Sequence, residues 1–260
     1  MGSDLFDLTG RIAAVCGGAG GIGGRVAAGL ARQGASVAVV DLDEEGAGRV
    51  AHDIQALGGR ATAVSADIAT SIAATRCVDA VVKELGALDV LVNAVGFNIF
   101  KPVLELTDDE IQRLVSLNLT SALLISRAAV PAMRRRGGGK IINFASVTAL
   151  FGSPGQSVYA AAKAGLVNLT KSMALEWAPY HIQVNAVSPV MTETAINAAW
   201  LAANPDRKAG IASAIPAGRL GRPDDLVGPV VFLASRASDF VLGQTLYVDG
   251  GTGAVHPLLK

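Results

Sequence analysis

Ser146, Tyr159 and Lys163 are the residues of this chain whose types and spacing could move a proton. Tyr159 and Lys163 stand four apart in SVYAAAKAGLVNLTKSMALEWA (157–178), an Ala- and Leu-rich stretch that predicts a helix. Residues four apart share a helix face, about 6 Å apart along the axis. A phenol with a pKa of about 10 is a poor base at neutral pH, but a nearby ammonium favours the phenolate and lowers that value. The pair therefore reads as a tuned acid/base. Ser146 follows the predicted strand KIINFA (140–145), where its hydroxyl could orient a substrate oxygen toward Tyr159. Tyr-x-x-x-Lys is common on its own; its meaning depends on what accompanies it.

What accompanies it is a glycine run between a predicted strand and a predicted helix, VCGGAGGIGG (15–24). Such a turn lets backbone approach a pyrophosphate at a helix N-terminus. Two registers fit: Gly18, Gly20 and Gly23 as G-x-G-x-x-G, or Gly17, Gly21 and Gly23 as G-x-x-x-G-x-G. Asp41 ends the next predicted strand, where a carboxylate accepts hydrogen bonds from adenosine ribose hydroxyls. It would also repel a 2′-phosphate, and neither the glycine loop nor DLDEEG (41–46) holds an Arg or Lys. The expected cofactor is therefore NAD rather than NADP. The competing role for Asp41 is a cap on the following helix. Asp67, after the third strand, suits the adenine amino group or a helix cap; Asn93 ends the fourth strand among small residues. Together these groups point to hydride exchange between a substrate carbon and a nicotinamide.

The elements that must position these groups alternate. Predicted strands cover 11–16, 36–40, 61–66, 88–93, 140–145 and 182–188, with a seventh in TLYVDGG. Helical patterns follow to about 33, over 43–57, 71–85, 108–135, 157–178, 192–203 and 223–235. This predicts a parallel sheet covered by helices on both faces, in one domain over 1–260 with a loop insertion at about 190–220. The 51 % hydrophobic content supplies a core, and equal counts of 22 basic and 22 acidic residues give no global charge to attract nucleic acid. The basic cluster RRRGGGK (134–140) reads as a solvated turn. No run of about 18 apolar residues predicts a membrane span, and MGSDLFDLTGR lacks the pattern of a signal peptide. Cys16 and Cys77 read as small packing residues of a cytoplasmic protein, and His52, His181 and His256 are too scattered for a metal site.

The segments GGAGGIG, VNAVG, SLNLTS, FAS, YAAAK, VNAVSP and YVDGG together resemble the short-chain dehydrogenase/reductase family over essentially the whole chain. The resemblance implies a Rossmann fold, an α/β doubly wound sheet of seven parallel strands in the order 3-2-1-4-5-6-7. It selects Gly17, Gly21 and Gly23 as the phosphate-loop glycines and makes the G-x-G-x-x-G match a coincidence. It implies Tyr159 as acid/base, Ser146 as carbonyl anchor, Lys163 as nicotinamide-ribose ligand lowering the tyrosine pKa, and Asn118 as holder of a relay water. It implies a cofactor set that adds Gly20, Ile22, Leu42, Ile68, Ala94, Pro189, Thr192 and Thr194 to the residues above. Three positions depart from the family pattern: Cys16 for Thr, Ala94 for Asn and Val190 for Gly, with the Cys16 thiol expected to tie its loop less firmly.

FKPVLELTDDE, SVTALFG and IPAGRLGRPDDLVGPVVFLAS further resemble sugar-acid and polyol dehydrogenases. This implies a small secondary alcohol or ketone as substrate, in a pocket drawn from Phe97, Asn98, Thr148, Leu150, Gln156, Met191 and Trp200. Asn98, Thr148 and Gln156 would serve its polar groups. The alternatives are an NADPH-linked 3-oxoacyl-thioester reductase and a non-catalytic NAD-binding protein. The resemblance also implies a homotetramer packed through 108–135 and 157–178.

Overall fold

The strands that were read from β-branched runs are present in the computed structural model, which describes residues 5–254. Residues 1–4 and 255–260, with His256, lie outside the described residues. The strands are β1 (Ile12–Cys16), β2 (Ser36–Asp41), β3 (Arg60–Ser65), β4 (Val90–Asn93), β5 (Gly139–Phe144), β6 (Ile182–Pro189) and β7 (Thr245–Val248). All neighbours pair in parallel, in the order β3-β2-β1-β4-β5-β6-β7. The expected order is thus observed, in a single Rossmann domain. The register sets Cys16 opposite Asn93, and Asn93 opposite Asn143, at the carboxyl end of the sheet.

The helices are α1 (Gly21–Arg32), α2 (Glu44–Ala56), α3 (Ser71–Leu85), α4 (Asp108–Val115), α5 (Ser121–Arg135), α6 (Ser157–Trp177), α7 (Ala195–Ala203), α8 (Pro205–Ala214) and α9 (Val227–Ala234). Alternate strand residues divide between two cores. Ala13 and Val15 pack with α1, α2 and α9, while Ala14 and Cys16 pack with α3, α5 and α6. That two-sided burial is why the strands read as continuous apolar runs. Two features differ from expectation. Beyond the expected helix α7, the 190–220 segment holds a second helix, α8, with Pro205 at its first position, where its missing N–H removes nothing. The predicted helix over 108–135 contains a π turn, residues 116–120, between α4 and α5. This run is also the one described helix long and apolar enough to span a membrane by length and composition; α5 packs against α3 and the sheet, and its apolar residues serve that core.

Residues 134–137 of RRRGGGK are exposed at a turn, as expected, but two of the arginines and Lys140 are engaged. Arg134 stacks on the Tyr180 ring at 4.0 Å, and Arg136 donates to buried Asp89. Lys140, in β5, is itself buried, and its Nζ lies 2.8 Å from an Asp239 oxygen. The cluster contains the charges that seal the amino end of the sheet.

Candidate active site

The glycine run leaves β1 and starts α1. Gly17 has φ +80°, and a Cβ there would meet the Ala94 carbonyl at 2.9 Å. A Cβ on Gly23 would collide with the Gly17 carbonyl oxygen, and one on Gly21 would lie 3.1 Å from Thr194. Glycine is thus sterically required at Gly17 and Gly23, and at Gly21 a side chain would press on Thr194. Gly18 is required too: its Cβ would lie 2.6 Å from Val39 and 2.9 Å from the Val15 carbonyl oxygen. It belongs to the packing of the turn on the sheet, so its place in the rival pattern is more than glycine abundance. The N-cap of α1 is Gly20, with no side-chain cap, so the first amides of the helix face outward as anion donors.

Beside this turn is a cavity of about 210 Å³ lined by Cys16, Gly17, Gly20, Asp41, Leu42, Asp67, Ile68 and Ala94 from the expected set or beside it. Val95, Gly96, Leu117 and Ile196 complete much of its wall and were not singled out from sequence. Asp41 does not cap α2; Asp43 does, accepting from the Gly46 N–H. One Asp41 oxygen instead accepts from the Ala19 N–H at 3.0 Å, so the carboxylate also fixes the glycine loop. Asp67 accepts from the Ala69 N–H, and Thr70 caps α3. Asn93 does not line the cavity. Its amide donates to Ser126 and Asn143 inside the protein. Ile22 packs against the core, and Thr192 hydrogen-bonds the Val190 carbonyl, beside Pro189, ahead of the α7 cap at Thr194. Cys16 is fully buried against Cys77 of α3. That contact, with burial, pushes the Cys16 thiol up, so a thiol pair occupies the place expected of a hydroxyl tether.

The proton-handling groups meet at the carboxyl end of β5. Lys163 is 3 % exposed, and its Nζ donates to the Phe144 carbonyl at 2.8 Å. Burial lowers its pKa to about 8. The same ammonium lies 5.8 Å from the Tyr159 ring centroid. Tyr159 is half-buried, and desolvation raises its phenol, with a hydrogen bond to Ser146 pulling the other way. The expected lowering by Lys163 is therefore corrected: desolvation raises the phenol, and Ser146, not Lys163, is the group that favours the phenolate. Asn118 sits in the π turn. Its amide donates to the Leu114 carbonyl, which an α-helix would give to a backbone N–H, and to the Phe97 carbonyl. A side chain inserted in the ladder accounts for the π turn. Asn118 Oδ1 has no partner among the described residues. A Cβ on Gly96 would lie 2.7 Å from that oxygen and 3.1 Å from Lys163 Nζ, so the glycine keeps a passage between them.

The substrate candidates are mixed. Asn98 Oδ1 is buried without a partner. Gln156 Oε1 accepts from Ser153, leaving its amide. Thr148 turns inward, its hydroxyl donating to Ser146 Oγ at 2.9 Å, so it offers a substrate lone pairs only. Phe97 lies under Arg113 at 4.7 Å, while Leu150 and Trp200 are each a little under half exposed.

The cavity beside the glycine turn and the Ser146, Tyr159 and Lys163 cluster adjoin at Gly96, which lines the cavity and leaves room beside Lys163 Nζ. Residues 17–253 match the family described as Enoyl-(Acyl carrier protein) reductase. This chain belongs to the short-chain dehydrogenase/reductase family. It is an NAD(P)-dependent oxidoreductase acting on CH–OH groups. It is 38 % identical to the 2-dehydro-3-deoxy-D-gluconate 5-dehydrogenase of Escherichia coli (strain K12), over 95 % of this chain and 96 % of the relative. It is also 38 % identical to a 3-oxoacyl-[acyl-carrier-protein] reductase of Vibrio harveyi, over 95 % and 98 %. The crystal structure of a gluconate 5-dehydrogenase from Burkholderia cenocepacia J2315, in complex with NADP and tartrate, superposes with a TM-score of 0.92 at 38 % identity, covering 97 % of this chain and 99 % of that one.

Proposed function

We propose that this short-chain dehydrogenase/reductase interconverts a secondary alcohol and a ketone on a sugar acid or polyol, with NAD(H) preferred. The observation that carries the reading is the convergence of Ser146, Tyr159 and Lys163 at the carboxyl end of β5, with the Lys163 ammonium 5.8 Å from the Tyr159 ring centroid and donating to the Phe144 carbonyl. Gly17, Gly21 and Gly23 let the α1 amides approach a pyrophosphate. A bound nicotinamide dinucleotide supplies the hydride acceptor or donor. Asp41 would take the ribose hydroxyls, and its charge supports NAD although the Burkholderia relative holds NADP. Ser146 would orient the substrate oxygen. Tyr159 would accept the alcohol proton in oxidation and return it in reduction, and Lys163 would bind the nicotinamide ribose. Asn118 Oδ1, unpartnered and facing the passage kept by Gly96, suits a relay water.

The test is a panel of gluconate, other sugar acids, polyols and a 3-oxoacyl thioester, offered with each cofactor and followed by the absorbance of reduced nicotinamide. Turnover of a sugar acid or polyol with NAD is expected. Exclusive reduction of the thioester with NADPH would replace this reading by the acyl-thioester one. The proposal includes a homotetramer packed through 108–135 and 157–178, supported by Leu175 of α6, which is 76 % exposed; a solution mass of one chain would remove it.

A further inference from the structure

Ser146 caps the 3₁₀ turn of residues 147–150 that leaves β5. Its Oγ receives two hydrogen bonds from one residue: the Thr148 N–H at 3.3 Å and the Thr148 hydroxyl at 2.9 Å. A serine hydroxyl has two lone pairs and one proton. With both lone pairs engaged on the Thr148 side, the proton has one direction left, toward Tyr159 and the substrate oxygen. A hydroxyl that accepts is also a better donor, because bonded hydroxyls polarise one another.

We propose that Thr148 is a positioning residue, which fixes Ser146 as a donor toward the reacting oxygen. The assignment rests on the proposed roles of Ser146 and Tyr159, but Thr148 acts through Ser146. The N–H contact belongs to the turn and is available to any residue other than proline at this position. The hydroxyl contact belongs to the Thr148 side chain. Without it, one Ser146 lone pair is free, and the serine proton can swing away from the phenol. Ser146 is the group whose hydrogen bond favours the phenolate, so losing its orientation makes Tyr159 harder to deprotonate.

Thr148→Val removes the donor and keeps the branched shape and the backbone N–H, whereas Thr148→Ser keeps the donor and removes a methyl. On the full chain with NAD and a substrate identified by the panel above, the Val variant is expected to lose about tenfold in kcat. The alkaline rise of its oxidation rate should move to higher pH, with NADH binding unchanged. The Ser variant should recover most of the rate and the parent pH profile. A Val variant with parent rate and profile would overturn the proposal. So would a Ser variant as impaired as Val, since shape would then matter and not the donor. A second measurement keeps this separate from the functional reading: near-ultraviolet tyrosinate absorbance of the NAD complex, in parent, Thr148→Val and Tyr159→Phe. It needs no substrate, and an unmoved Tyr159 transition in the Val variant overturns the role of Thr148. Retained turnover in Tyr159→Phe instead overturns the acid/base assignment.

Discussion

The two ends of β5 each carry a buried lysine, and the fold treats them differently. At the amino end, Lys140 has Ser238 and the Asp239 carboxylate within hydrogen-bond distance. Nearby Asp89 accepts from the Ile12 N–H and from Arg136, with Arg11 3.5 Å away. At the carboxyl end, Lys163 has a neutral carbonyl and no carboxylate, and Asn118 Oδ1 has no partner. Burial lowers both lysines, but Asp239 opposes the shift only at Lys140. The same residue type is a closed ion pair at one end and, at the other, an ammonium held by a neutral carbonyl. Unmet polar capacity is costly in an interior, and at Asn98 and Asn118 it stands where chemistry is proposed.

The sharpest way to break this contrast is Tyr159→Phe. Turnover should fall by about a thousandfold, while NADH binding and the melting temperature stay close to parent. A variant that unfolds would place the phenol with the structural groups instead. At the other end, Asp89→Ala should cost about 2–3 kcal/mol in denaturant unfolding, through the charged hydrogen bond to the Ile12 N–H and its arginines. Its KM values should be parent-like, and a large KM change would blur the division between the two ends. Asp41→Ala should improve use of NADPH relative to NADH by about tenfold, the value of one well-placed like charge. A wild-type preference for NADPH would contradict the cofactor reading directly.

The smallest effect is a pH signature of Lys163. Its folded-state pKa is about 8, against 10.5 for the free group. Between those values the unfolded chain holds more protons than the folded one, so stability rises with pH across that window. Below about pH 8 both states are charged and the destabilisation is constant. Lys163→Met should flatten the rise and add about 1–2 kcal/mol near pH 7. An unchanged slope would mean that the ammonium is better solvated than its 3 % exposure indicates.

The frame was legible in the sequence because two-sided burial writes continuous apolar strands, and glycine plus capping residues mark the turns between them. The Ser146, Tyr159 and Lys163 cluster was legible because helix spacing is fixed. What the sequence hid are properties of contacts between distant segments. Gly18 is needed because of Val39 on another strand, and Gly96 because of Asn118 and Lys163. The direction of the Thr148 hydroxyl depends on a turn whose geometry no periodicity reports. The rise in the Tyr159 pKa reflects how much water the finished fold removes, a quantity that residue spacing does not carry. Helix α8 was taken as loop because NPDRKAG reads as a turn when Pro205 is not recognised as a helix start.

The π turn at 116–120 also sets a rotational phase. Each residue of an α-helix advances the azimuth by about 100°, and a wide turn absorbs one extra residue without closing the ladder. Deleting a single residue there would restore an unbroken helix and swing everything before it by about that angle relative to α5. The Arg113 guanidinium would leave the Phe97 ring, and the capping box of Thr107 and Glu110 would point elsewhere. The turn therefore works as a one-residue spacer, keeping two helical faces in step while giving up one regular turn of backbone hydrogen bonding.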